Sequence, residues 1–303
     1  MYKFIAHTVI LSLAGVLCLQ AEAQTPETNA APLEWEDDVQ YEGRSHIKVT
    51  TPHAVYFYDK AGGGLSRVID PDGNDWIDWH PKPDEYPPGA AGLFRGIPNY
   101  QDGPGHPGYD ACTSDVDEHV AERIVIRSTC RDDSWTFTWT FTPHYAKNHI
   151  ISTPENVWVL YEGPIAGRYA PREQYWGNDK DGHQTTTPNW VAGEQQRGNW
   201  EWAYFGDNQV DRVLFLAMAA PYTDKAVFGY LGAVDSQDNA DAALDADDGM
   251  IVFGFGRADY PDKYIEGRDN TFYLGFIEQK VTDAASHADV ARQIEGVVED
   301  GSE

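Results

Sequence analysis

Cysteine, methionine and basic residues are all scarce in this chain. Among 303 residues there are three Cys and three Met, and 22 Lys and Arg stand against 49 Asp and Glu, a net charge of −27. A surface of that sign repels phosphate backbones and anionic lipid headgroups, so neither nucleic acid nor membrane is an expected partner. Dense carboxylates also suit solubility in salty water, and they carry no information about fold. After residue 23 no apolar run is long enough to span a bilayer. A Gly-x-Ser-x-Gly elbow, a phosphate loop, a dinucleotide fingerprint and an H-E-x-x-H pair are all missing. Serine hydrolysis, nucleotide-dependent chemistry and zinc proteolysis therefore have no visible support.

The N-terminus has a different character. Lys3 precedes an apolar stretch from Phe4 to Leu19, and Ala21-Glu22-Ala23 forms a small-x-small cleavage site. This is the pattern of a secretory signal peptide over residues 1–23, cut after Ala23, which places the mature protein in the periplasm or outside the cell. Cys18 raises a lipoprotein alternative, but Leu17 stands where such signals carry a small residue. Residues 24–40 are polar and Pro-bearing and are expected to form a flexible arm. The remaining segment, 41–303, is long enough for one well-buried domain. Only Cys112 and Cys130 survive signal removal, 18 residues apart. In an oxidising compartment such a pair is expected to form a disulfide; two buried thiols are the alternative, and no His or Cys sits near them at zinc spacing.

Periodicity points to strands. From Ile47 to Trp79, Val49, Val55 and Phe57 alternate with polar or small residues, and Gly62-Gly63-Gly64 turns the chain into Leu65, Val68 and Ile69. Asp70-Pro71-Asp72-Gly73-Asn74 then leads to Trp76-Ile77-Asp78-Trp79. Further strands are expected at 121–128, 134–142, 149–153, 157–161, 200–205, 212–219, 228–231, 250–256 and 271–279. Two long irregular stretches interrupt them. One is 80–110, with seven Pro and six Gly but also embedded aromatics; the other is 162–199. Residues 283–298, with Val290, Ile294 and Val297 at helical spacing, form the only convincing helix.

The order of strand, Gly turn, strand, Asp-Gly turn and aromatic-rich strand over 47–79 resembles the opening of galactose-mutarotase-like proteins. The resemblance covers roughly the first quarter of the mature chain. It implies an all-β fold, a single large antiparallel β-supersandwich whose concave face binds sugars, here with long loops and a short C-terminal helix.

Three clusters mix flat rings with charged groups at strand ends or in loops, as sugar sites require. They are Arg95, Asn99, His106 and Tyr109; then Tyr161, Glu162, Arg168, Arg172, Tyr175, Trp176 and His183; then Glu201 and Trp202 ahead of Asp207. A lyase acting on a uronate polymer needs a group that neutralises the sugar carboxylate, a base for the C5 proton and an acid for the leaving oxygen. Arg95, Asn99, Arg168 and Arg172 suit the first role; His106, Tyr161, Tyr175 and His183 suit the others. A glycosidase would instead need two carboxyl groups, for which Glu162 and Glu201 are the candidates. A mutarotase-like pair, Glu201 or Glu278 with His183 or His106, and a non-catalytic sugar-binding module are the remaining readings. Each candidate also has a plainer role: Arg95 could pin its own loop, and Glu162 could pair with Arg168 or Arg172. Asp179-Lys180-Asp181-Gly182 is a loose match to a calcium loop without the closing Glu, so no cofactor is expected, with calcium the minor alternative. The expectation is a secreted enzyme acting on an oligo- or polysaccharide, with a polysaccharide lyase favoured.

Overall fold

The structure is a computed structural model that describes residues 33–81, 94–100, 103–220, 225–232, 244–246, 248–259 and 261–302. The expected leader and its cleavage site lie outside the described residues. In chain order the strands are β1 (Glu34–Tyr41), β2 (Arg44–Thr50), β3 (Val55–Asp59), β4 (Gly64–Ile69), β5 (Cys112–Val120), β6 (Arg123–Cys130), β7 (Trp135–Phe141), β8 (Ala146–Ser152) and β9 (Val159–Gly163). They continue with β10 (Gln174–Asn178), β11 (Gly182–Gln184), β12 (Gln196–Gly198), β13 (Trp202–Asp207), β14 (Val213–Met218), β15 (Ala226–Leu231), β16 (Met250–Phe255) and β17 (Asn270–Ile277). The helix α1 follows at Ala284–Asp300.

One layer is a nine-stranded antiparallel sheet in the order β11-β10-β13-β14-β17-β8-β7-β6-β5. Opposite it lie two four-stranded sheets, β1-β2-β3-β4 and β12-β15-β16-β9. The segment around Ile97 joins these two into a continuous layer. Leu65 N donates to Ile97 O (2.7 Å), and Gly96 N donates to Glu162 O (2.8 Å), so the segment pairs with β4 on one side and β9 on the other. Gly96 is required there: its φ is +151°, and a Cβ would lie 2.6 Å from Pro107. The core fills the space between layers, with Tyr56, Leu65, Tyr161 and Phe253 from one side meeting Phe137, Trp139, Phe205 and Leu216 from the other. Alternation drives this: in β7, Trp135, Phe137, Trp139 and Phe141 are buried while the intervening Thr residues are not. The fold is an all-β supersandwich with one C-terminal helix.

Several expectations are corrected in detail. The arm expected over 24–40 becomes a strand from Glu34 onward, because its acidic side chains find cations on neighbouring chain: Glu36 pairs with Lys48, and Asp37 with Lys60 at 2.7 Å. Trp76–Trp79 is no strand, yet Trp76 N and Trp79 N still donate to Val68 O and Ser66 O, so the segment folds back along β4 and buries its rings. The 162–199 stretch contains β10, all five of whose residues are buried; with both faces covered, it lacks the alternation that marks a half-exposed strand. Cys112 and Cys130 form the expected disulfide and sit opposite each other in the β5–β6 register, so the bond staples the edge strand to its neighbour. The helix carries a capping box: Asp283 Oδ1 accepts from Ser286 N (2.8 Å), and Ser286 Oγ accepts from Asp283 N (3.1 Å). Val290 and Ile294 then bury against β13, β14 and β17 on the outer face of the large sheet.

Candidate active site on the outer face of the second layer

β9 sorts its side chains strictly. Val159 and Tyr161 belong to the core, whereas Leu160 and Glu162, with Trp158 just before the strand, line a cavity of about 300 Å³ on the opposite face. Val252 of β16 and Leu231 of β15 form the apolar floor beside them. Phe94, Asn99, His106 and Tyr109 arrive from the connection between β4 and β5, Trp190 from the one between β11 and β12, and Arg257 from the chain after β16. Trp190 is seated by glycine: a Cβ at Gly229 would lie 2.9 Å from the indole, so only glycine lets the ring rest against the sheet.

The electrostatics of the cavity centre on Glu162. The residue is 3% exposed, and its Oε2 has no hydrogen-bond partner among the described residues. Its one cationic neighbour among the described residues is Arg257, with Nη1 3.5 Å from Oε1, at the outer limit of a hydrogen bond. Burial therefore outweighs the guanidinium, and the carboxyl pKa is pushed up to about 8. Arg257 itself is held between two indoles, its guanidinium carbon 5.2 Å from the ring centres of both Trp158 and Trp190.

His106 is 4% exposed. Its Nδ1 contacts the Pro107 carbonyl, which can only accept, so Nδ1 carries the proton and Nε2 the lone pair. Nε2 is buried without a hydrogen-bond partner among the described residues. Burial pulls the imidazole pKa down to about 4, against the smaller upward pull of the Pro107 and Phe94 carbonyls. At neutral pH the cavity thus holds a protonated carboxyl and a neutral imidazole. Tyr109 packs edge-on against His106 at 5.2 Å, and Asn99 Nδ2 donates to Phe94 O (3.0 Å). Phe94 and Tyr109 are 46% and 41% exposed, two large rings left open at the rim of one cavity.

The remaining sequence candidates lie elsewhere. Tyr161 is in the core, where its hydroxyl donates to Trp76 O at 2.7 Å. Tyr175 packs beneath α1 and accepts from Val281 N, with Trp202 in the same cluster. Trp176 is a core ring packed edge-on against Trp200 and tilted against Phe228. His183, on the short edge strand β11, packs against Tyr175. Glu201 pairs with Lys180 at 3.2 Å and does not line the cavity with Glu162. The arginines are matched by carboxylates, as a chain so rich in acid permits. Arg95 bridges Asp78 and Asp248, Arg168 binds Glu173 and Asp207, and Arg172 binds Asp245. Asp179–Gly182 forms the β10–β11 turn, with Asn178 Oδ1 accepting from Lys180 N and Asp181 N. No cluster of three metal-ligating side chains occurs among the described residues. Sequence reasoning singled out none of Arg257, Trp190 and Trp158 as site residues. Arg257 stands just past the end of β16, the kind of position that had singled out the other clusters.

The architecture is shared with solved structures at very low identity. The protein HI1317 aligns with a TM-score of 0.50 and 9% identity, over 83% of this chain and 98% of its own. YeaD of Salmonella typhimurium, provisionally assigned as a mutarotase, aligns with a TM-score of 0.51 and 12% identity, over 82% of this chain and 94% of its own. The fold is the mutarotase-like sandwich. At such identity the likeness carries fold alone. No family model matches the sequence, and no curated protein matches it.

Proposed function

We propose that this chain is a secreted carbohydrate-active enzyme, and that it cleaves a uronic-acid-containing saccharide by β-elimination in the Glu162 cavity. The observation that carries the reading is the convergence, in one aromatic-rimmed cavity, of a buried carboxyl, a buried imidazole and a guanidinium, with burial favouring the uncharged form of the first two. With Glu162 uncharged and Arg257 cationic, the described lining carries net positive charge inside a chain of net charge −27, which suits an anionic sugar.

In this reading Arg257 and Asn99 meet the sugar carboxylate and stabilise the charge that develops on it. His106 Nε2 takes the C5 proton, the released electron pair forms the C4–C5 double bond, the C4–O bond breaks, and Glu162 protonates the departing oxygen. A pKa of about 4 makes the free imidazole a weak base, and an anionic substrate alongside raises it toward the working pH. Hydrolysis by Glu162 and Glu201 is disfavoured, because Glu162 is the only carboxyl among the described lining residues. A mutarotase-like proton shuttle on a free sugar would use the same pair and is the second reading.

The test is incubation with polygalacturonate, alginate, a glucuronate-bearing polymer and neutral polysaccharides. Absorbance from unsaturated uronate rising together with reducing ends supports the lyase. Reducing ends alone mean hydrolysis, and faster anomer interconversion of a free sugar by NMR, with neither signal, supports the shuttle.

A further inference from the structure

A second cavity shares two lining residues with the first. Trp190 and Arg257 line both, and in the second, of about 530 Å³, Gln195, Arg197 and Asp259 supply the polar groups. We infer that this second cavity is a saccharide subsite continuous with the first, and that the ligand is an acidic oligosaccharide of at least two residues lying across Trp190 and Arg257. The inference rests on the carbohydrate reading of the first cavity.

Three features carry it. Trp190 is a platform fixed on both counts: its ring rests against Gly229, and its backbone is tied to β15 by Trp190 N to Tyr230 O and Tyr230 N to Pro188 O, both 2.8 Å. A ring held in place stacks on a sugar with little entropy to lose. The polar groups suit hydroxyls and carboxylates. Arg197 is tethered through Nη1 to Asp259 (3.2 Å) and Nη2 to Gln195 (3.1 Å), yet its side chain is 47% exposed, so donors remain for a ligand. Finally, two guanidiniums border the second cavity, and one of them is shared with the first. A chain carrying a carboxylate on successive sugars would meet Arg257 and Arg197 in turn. In the first cavity, exposed Phe94 and Tyr109 offer rings for the neighbouring residue.

The experiment is calorimetric titration with galacturonic, guluronic and mannuronic acids and their di- and tetrasaccharides, with cello-oligosaccharides as neutral controls. In the series that binds, the tetramer should bind about tenfold more tightly than the monomer, the gain expected of one more charge-assisted contact and stacked ring. Arg197→Ala, and separately Gln195→Ala, should remove most of that gain while leaving monomer affinity within about twofold. Equal affinity for monomer and tetramer would overturn the subsite and leave the first cavity's role standing. A loss of monomer affinity in Arg197→Ala, with the fold intact by circular dichroism, would also overturn it. Failure of every uronide to bind would overturn the subsite and the lyase reading together.

Discussion

Replacing Glu162 by Gln should stabilise the protein in alkaline solution and do little in acid. The carboxyl is buried, one oxygen lacks a partner, and the nearest cation stands 3.5 Å from the other oxygen. Two effects of similar size compete. Unit charges 4 Å apart gain about 4 kcal/mol at an effective dielectric constant of 20, whereas stripping water from a buried ion costs several kcal/mol. The unpartnered oxygen tips the balance toward the neutral acid. The folded pKa, about 8, lies above the ordinary 4.5, so the folded state holds its proton where the unfolded state has released it. Stability from this group is full below about pH 4.5, falls as pH rises to about 8, and is constant beyond. That gap corresponds to roughly 5 kcal/mol as an upper bound, at 1.36 kcal/mol per pKa unit. Gln cannot ionise, so the stability of the variant minus that of wild type should climb by several kcal/mol across this window. Denaturant unfolding of both proteins, followed by tryptophan fluorescence at intervals across this range, measures the difference and cancels the remaining acidic groups. A difference that stays flat with pH would refute the reasoning, because it would mean that Arg257 holds Glu162 ionised.

Other expectations follow from the same structure. Protein beginning at Gln24 should show no free thiol when unfolded without reductant, and reduction of Cys112–Cys130 should cost about 2–4 kcal/mol of stability. Arg257→Lys should cut kcat/KM on a confirmed uronide by about tenfold or more, since an ammonium does not reproduce the planar group held between two indoles. Asp283→Ala should cost about 1 kcal/mol through loss of the α1 cap, with activity unchanged. The pH–rate profile should fall on its alkaline limb near pH 8 as Glu162 loses the proton it donates, a limb missing in a Glu162→Gln protein with residual turnover.

The fold was more legible than the site, for physical reasons. Strands with one covered face, such as β7, print their geometry as alternation, and α1 prints its own as helical spacing. β10 is covered on both faces and β1 is held by paired charges, so neither shows that signal. At the site, Asn99, His106, Tyr109 and Glu162 were visible as polar groups near strand ends or in a long loop. Arg257 and Trp190 come from chain 95 and 28 residues beyond Glu162, and only the pairing of β9 with β16 and the packing on β15 brings them in. The arginines that looked like a substrate patch are matched by carboxylates whose proximity no local pattern reveals.

The most direct test of the central claim is formation of unsaturated uronate by wild type and four variants on one polymer that the wild type cleaves. Glu162→Gln and His106→Ala should each lose about a hundredfold or more in kcat, the scale of a positioned proton donor or base. His183→Ala and Tyr175→Phe, which alter residues on the far sheet beneath α1, should stay within about threefold of wild type, as surface or packing changes remote from chemistry do. Full activity in both cavity variants, or collapse in His183→Ala with its fold retained, would contradict the account.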